Sequence, residues 1–249
     1  MTSFFQDKVV IVTGSSNGIG RGVAEKFASL GAKLTITGRN ETTLGETKEL
    51  LKKAGCKDAD ICEIIGDLSN DEIAQQVINK TVEQFGRIDV LVNNAGGTTG
   101  DADKHGFDIG MEHYDYTMKL NVRTMVLLSR LATPHLLETK GAIVNVSSIA
   151  ATPVCTDKLN PYYAISKAAV DQVTVQLAGR LAPLGFFEEN ANPKLTPIGR
   201  CGLPQDIANL IVFLADRTQS EFIVGQRILI DGGAFMRNQM LSNLMEGFI

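Results

Sequence analysis

The 249-residue sequence predicts a single α/β domain, a doubly wound parallel sheet with helices on both faces. Two observations predict it. Short runs rich in valine and isoleucine recur with little polar alternation, the pattern of strands buried on both faces. Helical segments lie between these runs, and no linker, repeat or low-complexity stretch interrupts residues 1–249.

In chain order, strands are expected at 9–12, 34–37, 62–65, 90–92, 143–146 and 228–230. The first helix is expected over 18–30, opening straight from a glycine turn and ending at Gly31, which suits a left-handed C′ residue. Ser69-Asn70-Asp71-Glu72 reads as a capping box that opens a helix towards Phe85. Longer helices are expected over 116–131 and 163–181, the second with an apolar stripe at Val170, Val173, Leu177 and Leu181. Pro204 opens a last helix through Leu214.

Composition excludes several classes. The net charge of −4 argues against a dominant attraction to nucleic acid. No apolar run reaches the roughly 18 residues of a membrane span, and MTSFFQDK lacks the basic-then-apolar pattern of a secretory leader. Cys56, Cys62, Cys155 and Cys201 are scattered, with no C-x-x-C pair, as in reduced cytoplasmic proteins.

The turn after the first strand, VTGSSNGIG at 12–20, has two readings. Gly14-Ser15-Ser16-Asn17-Gly18 fits the G-x-S-x-G elbow of a hydrolase. Gly14, Gly18 and Gly20 also fit a turn that lets backbone N–H groups and a helix N-terminus meet a phosphate. The elbow needs an acid and then a histidine late in the chain. His105, His113 and His135 are the only histidines, and none closes a late strand, so the phosphate reading stands. Asn93-Asn94-Ala95-Gly96 follows the fourth strand, at the sheet edge where open α/β sheets bind ligands. Tyr163 and Lys167 stand four apart on one helix face, downstream of Ser147-Ser148 at the end of the fifth strand, and Asn121 lies in the preceding helix. Asp101, Asp103 and Glu112 mimic a calcium loop, but His105 occupies a ligand position and no helix enters; 98–110 reads as a polar loop at the rim of the site.

Together these residues resemble the short-chain dehydrogenase/reductase family. The resemblance rests on TGSSNGIG (13–20), Asp67-Leu68, NNAG (93–96), KLNV around Asn121, NVSS (145–148), YAISK (163–167), PIGRCGLPQDIA (197–208) and ILIDGG (228–233). It implies a Rossmann fold, a nicotinamide cofactor, a small-molecule carbonyl or alcohol substrate, and a homodimer or homotetramer that shares the helices at 116–131 and 163–181. It implies a catalytic tetrad of Asn121, Ser148, Tyr163 and Lys167. In that scheme the Tyr163 hydroxyl exchanges the proton and Lys167 favours its phenolate. Ser148 donates to the substrate oxygen, and Asn121 sits at a helix kink that holds a water relaying protons through Lys167. Cofactor contacts are implied for Gly14, Ser16, Asn17, Gly18, Ile19, Gly20, Arg39, Asp67, Leu68, Asn94, Ala95, Gly96, Tyr163 and Lys167. The second strand ends in Gly38-Arg39 where NAD binders place an acid, so the expected cofactor is NADP(H), its 2′-phosphate paired with Arg39.

The resemblance breaks at one place. The family pattern calls for a sixth strand and a substrate loop after the Tyr163 helix, yet Leu181-Ala182-Pro183-Leu184-Gly185 runs directly into Phe186-Phe187-Glu188. Either those residues are deleted, or the chain joins two segments across residues it omits. The rival to an active NADP(H) oxidoreductase is a catalytically silent nucleotide-binding or partner-binding protein, made so by this loss.

Overall fold

A computed structural model describes residues 5–99, 104–151 and 160–181. The sheet and the candidate site belong to one compact unit, Met1–Thr174. The expected features at 185–186, 197–214 and 228–233, with Cys155, Cys201, Asp101 and Asp103, lie outside the described residues.

Among the described residues five strands form the sheet: β1 (Val9–Val12), β2 (Lys33–Gly38), β3 (Ile61–Ile65), β4 (Val90–Asn93) and β5 (Ala142–Asn145). All pairs are parallel, in the order β3-β2-β1-β4-β5, the Rossmann arrangement. The valine and isoleucine runs are buried throughout β1 and β4, because helices cover both sheet faces. Helices α1 (Gly18–Ser29) and α2 (Glu41–Lys53) pack on β2, with Ala24, Ala28, Leu44 and Leu51 closing over Val10, Val12, Leu34 and Ile36. Helix α3 (Asp71–Phe85) packs on β2 and β3, and α5 (Thr124–Thr139) on β4 and β5. Among the described residues the remaining α-helices are α4 (Met111–Met118) and α6 (Pro161–Leu181).

Among the described residues β5 is the outer strand, and its residues alternate between exposed and half-buried. No helix of the described residues is long and apolar enough to cross a membrane.

Two local expectations are corrected. Asn70, not Ser69, caps α3: its side-chain oxygen accepts from the Glu72 N–H at 3.0 Å. The Ser69 N–H is instead turned onto Asp67 Oδ1 at 2.8 Å, which places Ser69 in a turn ahead of the cap. The helix expected over 116–131 begins at Met111, ends at Thr139, and is interrupted by a wide turn at Lys119–Arg123. There the Thr124 N–H reaches Lys119 O, five residues back, while the Thr124 hydroxyl bonds both Lys119 O and Leu68 O. One extra residue is thereby fitted into the turn, and Asn121 lies on it.

Candidate active site

The site lies at the C-terminal ends of β1, β2, β4 and β5, where a cleft of about 340 Å³ opens. Its floor is two loops tied together. Thr13 donates its hydroxyl to Val92 O and accepts from the Asn94 and Ala95 N–H groups, both at 2.9 Å. The Asn94 amide returns two bonds, to Thr13 O at 2.9 Å and Gly14 O at 3.0 Å. Gly14 holds φ +65°, and a Cβ there would stand 2.8 Å from the Ala95 Cα, so the close approach requires glycine. A Cβ on Gly20 would collide with Gly14 O and the Asn94 amide, which sets the helix against the turn. Asn93 braces the sheet below, donating to Ser129 Oγ and Asn145 Oδ1.

Helix α1 opens with Asn17 in the cap position, yet no side chain caps its first turn and no acid lies there. Ser16 Oγ is buried without a hydrogen-bond partner and lines the cleft. An uncapped helix end beside an unpaired hydroxyl suits a phosphate-bearing ligand, whose oxygens would accept from both. The turn is held open by Arg21, whose guanidinium donates to Ser16 O, Thr43 O and Thr47 Oγ1 and pairs with Glu46 at 3.1 Å. Ile19 is largely exposed and lines the same cleft.

At the other end stand Tyr163 and Lys167 on α6. Lys167 is 4% exposed, its ammonium donates to Val146 O at 2.8 Å, and it lies 5.7 Å from the Tyr163 ring centre. Burial lowers the Lys167 pKa from the usual lysine value, against the opposing charge of Asp171. Asn121, 2% exposed, accepts from the Gly97 N–H at 2.8 Å and donates to Ser166 Oγ at 2.8 Å. Ser166 in turn donates to Tyr163 O, so the wide turn, the loop after β4 and α6 form one hydrogen-bonded unit. Asn121 Oδ1 and Lys167 Nζ also flank Gly96, each 3.2 Å from where a Cβ would stand.

The structure thus gathers Asn121, Tyr163 and Lys167 at one end of the cleft, with the glycine turn, Arg39, Asp67, Leu68, Asn94, Ala95 and Gly96 around the rest. Asn121 and Gly18 are not among the residues lining the cleft. Of the two serines, Ser147 lines it and donates to Lys167 O at 3.3 Å, whereas the Ser148 hydroxyl accepts from the Ala150 N–H at 3.2 Å. Thr13, Thr37, Arg21, Ser166 and Tyr116 were not legible as site residues. Each acts through a contact with a distant element, and of the five only Thr13 and Ser166 sit inside a recognisable motif, TGSSNGIG and YAISK.

At the rim, Asp67 accepts from the Tyr116 hydroxyl at 3.1 Å, and Tyr116 accepts from Arg39 Nη1 at 2.9 Å. Burial alone would raise the Asp67 carboxyl, but hydrogen bonds from Ser69 and Tyr116 and the charge of Arg39 bring it below the usual carboxylate value. Burial and the Asp67 charge push Tyr116 up.

A sequence model of the short chain dehydrogenase family matches residues 8–192. A 7α-hydroxysteroid dehydrogenase of Bacteroides fragilis is 29% identical, over 96% of this chain and 98% of its own. That alignment spans 261 positions, more than this chain's 249 residues, so the relative carries residues with no counterpart here. Among solved structures, a short-chain dehydrogenase/reductase of Caenorhabditis elegans with cofactor is 40% identical, with TM-score 0.71 over 93% of this chain and 96% of that one. An NADH-dependent reductase complexed with NAD is 29% identical, with TM-score 0.66 over 94% and 99% of the two chains. The chain belongs to the short-chain dehydrogenase/reductase family and is an oxidoreductase of that family.

Proposed function

We propose that this chain is an NADP(H)-preferring oxidoreductase that interconverts a carbonyl and a secondary alcohol, with Tyr163 as the acid and base. The nicotinamide, when bound, supplies or accepts the hydride. The chain's own residues handle the proton and the charge. Tyr163 lines the cleft, and its hydroxyl exchanges a proton with the substrate oxygen. The observation that carries this reading is Lys167. An ammonium shut away from water, 5.7 Å from the phenol ring, acts across a medium that screens it weakly and favours the phenolate. Its lowered pKa means that this charge is lost at a lower pH than a free lysine's.

Ser148 is assigned the hydrogen bond that holds the substrate oxygen, and Asn121 the shaping of the turn that orders a proton path towards Lys167. The glycine turn and the end of α1 take the pyrophosphate. Arg39, at the end of β2, supports the NADP(H) preference, and the unpaired Ser16 hydroxyl adds a donor on the same side of the cleft. A homo-oligomer sharing α4, α5 and α6 follows from the resemblance and is read by sedimentation of the full chain.

Tyr163→Phe is expected to lower kcat by about 10²–10⁴-fold while NADPH still binds with nearly the parent Kd, read by calorimetry. A Phe variant as active as the parent would overturn the assignment of Tyr163. Initial rates across carbonyls and alcohols, at matched NADH and NADPH concentrations, test the cofactor preference directly.

A further inference from the structure

Arg39 is a poor anchor as it stands. Its side chain is 68% exposed, and an arginine on open surface samples many rotamers before it can meet a phosphate. Among the described residues the only carboxylate it approaches is Asp67, at 4.0 Å, the outer limit of an ion pair. Between the two stands the hydroxyl of Tyr116, a residue of α4 that does not line the cleft. It accepts from Arg39 Nη1 at 2.9 Å and donates to Asp67 Oδ2 at 3.1 Å. Each role fixes the other: the single phenolic proton goes to the carboxylate, which leaves the oxygen lone pairs facing the guanidinium. Asp67 is anchored from behind by the Ser69 N–H on Oδ1 and cannot follow Arg39 freely.

We propose that Tyr116 is a positioning residue for cofactor choice, its hydroxyl holding the Arg39 guanidinium on the rim of the cleft and keeping it from closing onto Asp67. This rests on the NADP(H) reading above. With the hydroxyl present, Arg39 spends one N–H on a neutral oxygen and keeps its remaining donors, and most of its charge, for a 2′-phosphate. With the hydroxyl removed, the gap of one oxygen atom lets guanidinium and carboxylate meet directly, and the carboxylate then neutralises the charge the phosphate needs. A dinucleotide with a bare 2′-hydroxyl uses no such charge, so its affinity is insensitive to the change.

The test is calorimetric titration of the full-length parent, Tyr116→Phe and Arg39→Ala with NADPH and with NADH, beside a melting curve of each protein. Adenosine 2′,5′-bisphosphate against AMP repeats the comparison on the phosphate subsite alone. Tyr116→Phe is expected to weaken NADPH by roughly tenfold, the effect of one hydrogen bond to a charged group, with NADH changed less than about twofold and the bisphosphate following NADPH. Arg39→Ala is expected to remove the preference entirely. If the parent prefers NADPH and only Arg39→Ala narrows the ratio, the role of Tyr116 is overturned and the cofactor reading stands. Equal weakening of both cofactors by Tyr116→Phe, or a wider ratio, also overturns it, since either makes the residue merely structural or a restraint. A parent that binds NADH as tightly as NADPH overturns the cofactor reading, and this inference with it.

Discussion

At the residue scale, a charge tied by three other residues lies away from the cleft. Asp89, just before β4, is 4% exposed and collects the Val9 N–H at 2.9 Å, Lys8 Nζ at 3.2 Å and two Arg87 nitrogens at 2.9 and 2.7 Å. Burial would raise its pKa, but hydrogen bonds from Arg87, Val9 and Lys8 outweigh it and the carboxyl sits below the usual value. The folded state therefore binds the proton less tightly than the unfolded chain. The stability this group supplies is complete above about pH 4 and is lost as pH falls through the folded value. Asp89→Asn is expected to cost about 2 kcal/mol near neutrality and to flatten the loss of stability between neutral and acid pH. Urea unfolding of both proteins at a series of pH values checks this; parallel curves would show that the cluster contributes nothing. A lone aspartate in GRIDV gives no hint of such a role, because two of its three partners' side chains or amides lie about eighty residues away.

At the element scale, the wide turn at Lys119–Arg123 decides how the helices serve the site. Straight helix through Asn121 would rotate its side chain relative to the loop after β4. The extra residue sets the amide between the Gly97 N–H and Ser166 Oγ. Asn121→Leu leaves that N–H unpaired in a half-buried place and is expected to cost about 2 kcal/mol, seen as a lower urea midpoint with the slope unchanged. A midpoint within error of the parent would remove the turn from the account of stability. Sequence periodicity reads the helix but not this turn, since nothing in KLNVR departs from helical pattern; the resemblance alone implied a helix kink at Asn121. The cap of α3 failed for a similar reason. Ser69 and Asn70 are both capping types, and only the folded contacts decide between them: the Glu72 N–H donates to Asn70 Oδ1, while the Ser69 N–H is turned onto Asp67.

For the molecule as a whole, the five described strands were legible because each holds valine, isoleucine or leucine at close local spacing, and burial on two faces is written into β1 and β4 without reference to their partners. The glycine turn and the Tyr163–Lys167 pair were legible for the same reason, their spacing being local. The brace of Asn93 across to Ser129, and the bridge of Tyr116 between Arg39 and Asp67, join elements far apart in the chain and could only be seen folded. Binding at the cleft should tighten the whole unit. At about one hundred times its Kd a cofactor adds about 2.7 kcal/mol to unfolding, so at equal concentrations NADPH is expected to raise Tm more than NADH. A thermal scan reads the difference, and equal shifts count against the preference. The floor of the cleft carries a last consequence. Asn94 spends its amide on the carbonyls of Thr13 and Gly14, and Thr13 answers with its hydroxyl. The first glycine turn and the loop after β4 are therefore a single transplantable part: a chimera that imports a foreign turn must import the matching asparagine loop from the same donor, or inherit a seam of mismatched partners.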